Sequence, residues 1–351
     1  MIKIHIRFLA IAIPALGLGL SAHAHHSDAG LDLDNVITID GTVRELSWRN
    51  PHVYFTVAAT DDAGQPIEWT VQMASVATVS RMGWSRDSLE VGDRVSVGAY
   101  PARDGRPYAK FLSIERMTGP VLPTSFDSAG EVRLAGPEAT AVASSLAGRW
   151  MADPDQVNSY PGRIDGLTRA LLTLTDKAQA AQAAYDENSA ENPELRCIGR
   201  PTPAMIVYTD LYPMELEFTE DGQLLYIRSQ FMDQERIVYL DGREHPDASE
   251  RSHEGHSIGW WEDDTLVVDT RNFADNRSPY QNGIPSGARK HVIEQYRLTD
   301  SGTGMSVEFM LEDPEFIAVP MTHSRELVYV PDADMSPFNC DPDSTRRFLT
   351  R

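Results

Sequence analysis

"HVYFTVAATDDAGQPIEWTVQM" (52–73) decides how the first third of the chain is read. Val53, Phe55 and Val57 alternate with His52, Tyr54 and Thr56, the period-two pattern of a strand with one apolar face. "DDAG" (61–64) follows as a turn and "PIEWTVQM" (66–73) runs back, so the stretch predicts a hairpin. Upstream, "VITIDGTVRELSW" (36–48) is another β-rich run, and Pro51 makes Asn50 extended and ends it. Downstream, "ASVATVSRMGW" (74–84) breaks the alternation and suits a short helix. "VGDRVSVGAYP" (91–101) and "AKFLSIERM" (109–117) add two strands around the turn "ARDGRP". Three strands, a helix and two strands is the order of a five-stranded OB-like barrel.

Residues 118–145 are rich in Pro, Gly, Ser and Ala and read as a linker. A second domain opens with "LAGRWMADPD" (146–155), and the Ala-rich "LLTLTDKAQAAQAAYDEN" (171–188) predicts a helix. From about residue 200 strands dominate, with turns at "EDGQ" (220–223), "EDD" (262–264) and "DSGTG" (300–304). Six to nine strands in series predict an up-and-down antiparallel barrel or sandwich. The fold class is therefore mainly all-β, with domains at 25–117 and 146–345.

Lys3 and Arg7 precede the apolar run "FLAIAIPALGLGL" (8–20), and "SAHA" (21–24) supplies small residues for cleavage. Together they read as a secretory signal cut after Ala24, which places the product in the periplasm or outside the cell. Thirteen apolar residues are too few to span a bilayer, and no later run is long enough, so no integral membrane segment is expected after cleavage. The chain carries 31 basic and 52 acidic residues, a net charge of −21. Removing Lys3 and Arg7 makes it −23. Such a surface repels phosphates, which excludes nucleic acid as a partner. Cys197 and Cys340 are the two cysteines, and an oxidising compartment would allow one long-loop disulfide between them. No Cys-x-x-Cys or neighbouring His supports a catalytic thiol. Neither a Gly-x-Ser-x-Gly elbow nor a phosphate or dinucleotide loop is present.

Cleavage after Ala24 would give His25 a free α-amine, which chelates one metal together with the ring Nδ1. His26 is adjacent, and His52 in "WRNPH" (48–52) lies on the more polar face of its strand, where an incoming N-terminal segment could meet it. Nitrogen-rich sites of this kind favour Cu(II), with zinc as the alternative. The arrangement of His25, His26 and His52 resembles the histidine brace of copper-binding exported proteins. The loop "REHPDASERSHEGHS" (243–257) adds His245, His253 and His256, which could ligate zinc or supply a general base. It lacks cysteines and a clear fourth ligand, so a solvated loop with a hydrogen-bonded His256 is the simpler reading. Glu262, Asp263, Asp264 and Asp269 suggest a carboxylate pair, but Glu-Asp-Asp between aromatic and β-branched residues is more simply a hairpin turn.

"AHHS" at the cleavage site, "GTVRELSWRNPHVYFTV" (41–57), "RMGWSRDSLEVGDRVSV" (81–97) and "PARDGRPYA" (101–109) resemble a widespread bacterial family of exported domains of unknown function. Those domains begin at His-His-Ser and carry Asn-Pro-His, which implies an exported small β-domain over 24–117. Residues 146–345 resemble a second uncharacterised exported family through "YLDGREHP" (239–246) and "GHSIGWWEDDTLVVDT" (255–270), with Trp260-Trp261 and Glu262-Asp263 departing from its usual Arg-Trp-Glu-Gly. "GRW" (148–150) resembles the Gly-x-Trp that opens lipocalin-like barrels, where the Trp closes the bottom. That resemblance implies a ligand cavity in the second barrel, with Trp150, Trp260 and Arg325 as candidate contacts for a small apolar molecule. The leading expectation is an exported binding protein for a metal or an apolar ligand. One alternative is an enzyme acting on a hydrophobic substrate in the second barrel, with His256 as acid/base beside Arg236, Arg271 or Arg325. The other is a structural or interaction module of the envelope.

Overall fold

The computed structural model describes residues 30–117, 119, 122, 138–153, 156, 172–185, 193–275 and 283–345. The predicted signal, His25, His26 and most of the predicted linker lie outside the described residues.

The first barrel is built from β1 (Ile37–Ser47), β2 (Tyr54–Thr60), β3 (Pro66–Gln72), α1 (Val76–Arg81), β4 (Arg94–Pro101) and β5 (Tyr108–Arg116). Its strands close in the order β1-β2-β3-β5-β4, with β3 and β5 parallel and every other pair antiparallel. The quoted hairpin forms as read. Asp61 Oδ1 accepts from the Ala63 and Gln65 amides at 2.9 and 2.7 Å, and Gly64 takes the positive φ of 79° that closes the turn. Where β1 passes over β2, a Cβ on Gly41 would sit 2.3 Å from the Ala58 carbonyl oxygen, so only glycine fits. Val43, Phe55, Val57, Val71, Val97 and Phe111 fill the interior, and Trp84 after α1 packs edge-on against Phe111. One expectation is corrected here. The second face of β2 is covered rather than polar, because Tyr54 is fully buried against Leu31, Tyr108 and Leu195.

The second barrel runs β6 (Gly148–Ala152), α2 (Asp176–Ala183), β7 (Met214–Phe218), β8 (Leu224–Ser229), β9 (Gln234–Tyr239), β10 (His256–Glu262), β11 (Thr265–Arg271), β12 (His291–Leu298), β13 (Gly304–Glu312) and β14 (Met321–Tyr329). Each strand pairs with its neighbour in sequence and β14 closes on β6, giving a nine-stranded up-and-down barrel. It differs from the predicted antiparallel barrel at one seam, where β9 and β10 are parallel through Ser257↔Val238 and Ile258↔Tyr239. The predicted helix is shorter than its Ala-rich run: Thr175 caps α2, whose eight residues end at Ala183.

Several large side chains point into this barrel. Trp150 is fully buried, donates its Nε1–H to the Leu146 carbonyl at 3.0 Å and packs on Tyr329. Arg236 of β9 reaches Glu294 of β12 at 2.5 Å and the Tyr296 hydroxyl at 3.0 Å, inside a wall of Leu225, Val238, Leu266 and Val268. Arg325 is fully buried too, donating to the Val207 carbonyl at 2.8 Å. Trp150 and Arg325, the candidate contacts for an apolar ligand, are both fully buried and each donates to a backbone carbonyl. His323 faces inward against Phe309, and burial together with Arg325 pushes its pKa down to about 4. An unfolded histidine takes its proton near 6.5, so stability is full above that value and falls as pH drops from about 6.5 toward 4. We expect His323→Leu to flatten the decline of melting temperature across that window.

The barrels meet through the C-terminal segment. Cys340 is bonded to Cys197, across 143 residues of sequence. Asn50 donates to the Phe338 carbonyl at 2.5 Å, accepts from the Asp341 amide and caps Val76 of α1 with its side-chain oxygen. Arg49 pairs with Asp341 at 2.6 Å, and Ser344 donates to the His52 carbonyl at 3.1 Å. No helix among the described residues is long and apolar enough to cross a membrane.

Candidate functional site

Five adjacent strands of the second barrel turn polar residues outward at one end of the wall. Alternation places Val238, Ser257, Thr270, Val292 and Leu311 inside and leaves Tyr239, His256, Arg271, His291 and Glu312 outside. Register brings His256 opposite Arg271 and His291 opposite Glu312, with Asp269 two residues along β11 from Arg271. Segment 240–255 runs back along this wall from β9 to β10 and lays Arg243 and His245 over it. Its far end is tied down elsewhere. Glu254 accepts from Thr202 and Gln234, and the His253 Nε2 bonds the Gly199 carbonyl at 2.6 Å.

The groups form one continuous chain of contacts. His256 Nδ1 lies 3.1 Å from His245 Nδ1, and His245 Nε2 lies 3.2 Å from Asp269 Oδ1. His291 Nε2 reaches the same oxygen at 3.0 Å while its Nδ1 faces Glu312 at 3.3 Å. Arg271 grips both Asp269 oxygens, each at 3.0 Å. The His256 ring stacks on Tyr239 at 5.0 Å and 17°, and the Arg243 guanidinium covers Tyr239 at 3.8 Å.

Charge follows from these contacts. Burial alone would raise the Asp269 carboxyl, but hydrogen bonds from His291 and Arg271 hold it far below the ordinary range. An ionised carboxylate only accepts, so the nitrogen each ring turns toward it carries hydrogen. His291 therefore donates to Asp269, which raises its pKa against the effect of burial. His245 and His256 go the other way. Burial lowers both, outweighing Asp269 at His245 and reinforced by His245 and Arg243 at His256. The contacts thus favour the charged form of the His291 ring between its carboxylates and the neutral form of the two rings that face each other.

The structure brings together His256, Arg271 and His245 from the sequence-predicted set. It places Arg236, His253, Trp260 and His52 apart from them. Arg236 points into the barrel and His256 out of it, because they meet through inward Ser257, so the interior acid/base pair expected of them does not form. His253 belongs to the Gly199 contact, which breaks up the expected trio of histidines. Trp260 stands 41% exposed on the outer wall, its Nε1–H on Glu262, well outside any barrel interior. Asp263 and Asp264 form the two-residue turn, with Asp263 at φ 52°. His52 sits half-buried, its ring 6.2 Å from that of Tyr54. His291 and Glu312 belong to no motif in the sequence, and Asp269 stands in the same acidic stretch as the turn. The available signal was the alternation itself, since His291 and Asp269 fall on the outward phase of β12 and β11.

The profile of a family of unknown function (DUF6152) matches residues 15–110, which includes β1 to β4 and the start of β5. No curated protein matches the chain.

Proposed function

We propose that the chain is an exported metal-binding protein that holds copper where its mature N-terminus meets His52. The observation that carries this reading is the anchoring of Leu31. Leu31 bridges Ala102 and is buried in one cluster with Tyr54, the ring next to His52. Leu31 lies six positions after His25, and an extended chain of that length reaches about 20 Å. The α-amine and Nδ1 of His25 with the His52 ring make a three-nitrogen set that suits Cu(II), with zinc as its competitor. The second barrel is not used in this reading.

Intact mass and elemental analysis of the exported protein test it together. The expected chain begins at His25 and carries copper, and His52→Ala removes one bound equivalent. Protein that takes up neither copper nor zinc, or whose uptake His52→Ala leaves unchanged, overturns it.

A further inference from the structure

We propose that the outer wall of the second barrel carries a separate two-histidine site for a divalent transition-metal ion, with His245 Nδ1 and His256 Nδ1 as its ligands. The two nitrogens face each other at 3.1 Å. With metal–nitrogen bonds of about 2.0–2.1 Å, that spacing subtends roughly 95–102° at a shared ion, between the square-planar and tetrahedral angles.

The groups behind the pair prepare it. Asp269 accepts from His245 Nε2 at 3.2 Å, which fixes the hydrogen there and leaves the Nδ1 lone pair turned toward His256. A carboxylate behind a ligating histidine orients the ring and makes it more basic. His256 is held flat on Tyr239, which Arg243 covers from outside. Without metal, His256 supplies the Nδ1 hydrogen that lies between the rings. When the ion enters, that hydrogen leaves to solvent and one is taken up at Nε2, so the ring stays neutral and the proton count balances. Neighbouring cations are already compensated. Asp241 grips Arg243 at 2.6–3.0 Å and Asp269 grips Arg271, while Glu250 adds negative charge near His256. Among the described residues no three His, Cys, Asp or Glu side chains converge on one point. The remaining coordination positions therefore go to water or to an incoming ligand, and the site is open.

The inference stands apart from the N-terminal reading, and the test separates them. The mature full-length chain carrying His25→Ala, His26→Ala and His52→Ala is titrated with Cu(II) alone, with Zn(II) as competitor, and examined by electron paramagnetic resonance. We expect one Cu(II) bound, two imidazole nitrogens in its hyperfine pattern, and displacement by excess Zn(II). In that background His245→Ala or His256→Ala weakens binding at least tenfold, Asp269→Asn weakens it about 10–100-fold, and His253→Ala leaves it unchanged. Melting curves of the metal-free variants check that each is folded. The hyperfine pattern of the unsubstituted wall needs no further variant. No bound Cu(II), fewer than two imidazole nitrogens, or binding indifferent to both His245→Ala and His256→Ala overturns the proposal. A His52→Ala chain that keeps its full complement of metal, with this wall site still loading, would sink only the N-terminal reading.

Discussion

Replacing Cys197 and Cys340 by serine lowers the stability of the second barrel by about 3–5 kcal/mol, read as a lower urea midpoint of its unfolding transition. The bond closes a loop of 143 residues that contains all of β7 to β14. Constraining so long a loop in the unfolded chain is worth about 5 kcal/mol in the chain-entropy account. The bond also fixes the segment that meets the first barrel, because Cys340 bridges Asn50 and Asp341 pairs with Arg49. The serine variant should therefore lose cooperativity between the two barrels as well as stability, and reductant added to the unsubstituted chain should do the same. A midpoint unchanged by the serines would show that other contacts hold the segment.

The second large effect belongs to the buried ion pair. Arg236→Met alone, or Glu294→Leu alone, should cost about 3–5 kcal/mol, because each leaves its former partner charged in the barrel core. Both side chains are all but inaccessible to solvent, at 2% and 0% exposure. Arg236 also serves Ser257 of β10, Thr270 of β11 and Tyr296 of β12, so one residue satisfies polar groups on three neighbouring strands. Making both substitutions together should recover much of the loss, since two apolar side chains can pack where the pair was. A double-mutant cycle by urea denaturation measures the coupling. Strictly additive single effects would refute the assignment.

The strands were readable because alternation reports which residues share a face. Val53, Phe55 and Val57 lead directly to β2, and Asp61 and Gly64 to its turn. What covers a face is not readable, since it comes from far along the chain. Tyr54 is buried by Leu31 and Leu195, and His52 lies under the segment that contains Ser344. The site shows the same division. His245 and His256 stand in one polar run and Arg271 is a candidate partner of His256, but His291 lies twenty residues beyond Arg271, in a strand whose inward phase holds Glu294. Polarity alone misleads there, because a glutamate in the core defeats the rule that separates inside from outside.

Five strands close the first ring and nine the second. An odd ring cannot alternate direction all the way round, so parity obliges each barrel to contain one pair of strands running the same way. A hairpin cannot join such a pair, and the chain must travel the length of the wall to begin again. In the first barrel the chain between the parallel strands β3 and β5 runs through α1 and then back along β4, and from α1 Arg81 reaches the Asp210 and Leu211 carbonyls of the second. In the second it is segment 240–255, the same stretch that sets His245 against His256. An even count would have let β9 turn straight into its neighbour, leaving that wall bare.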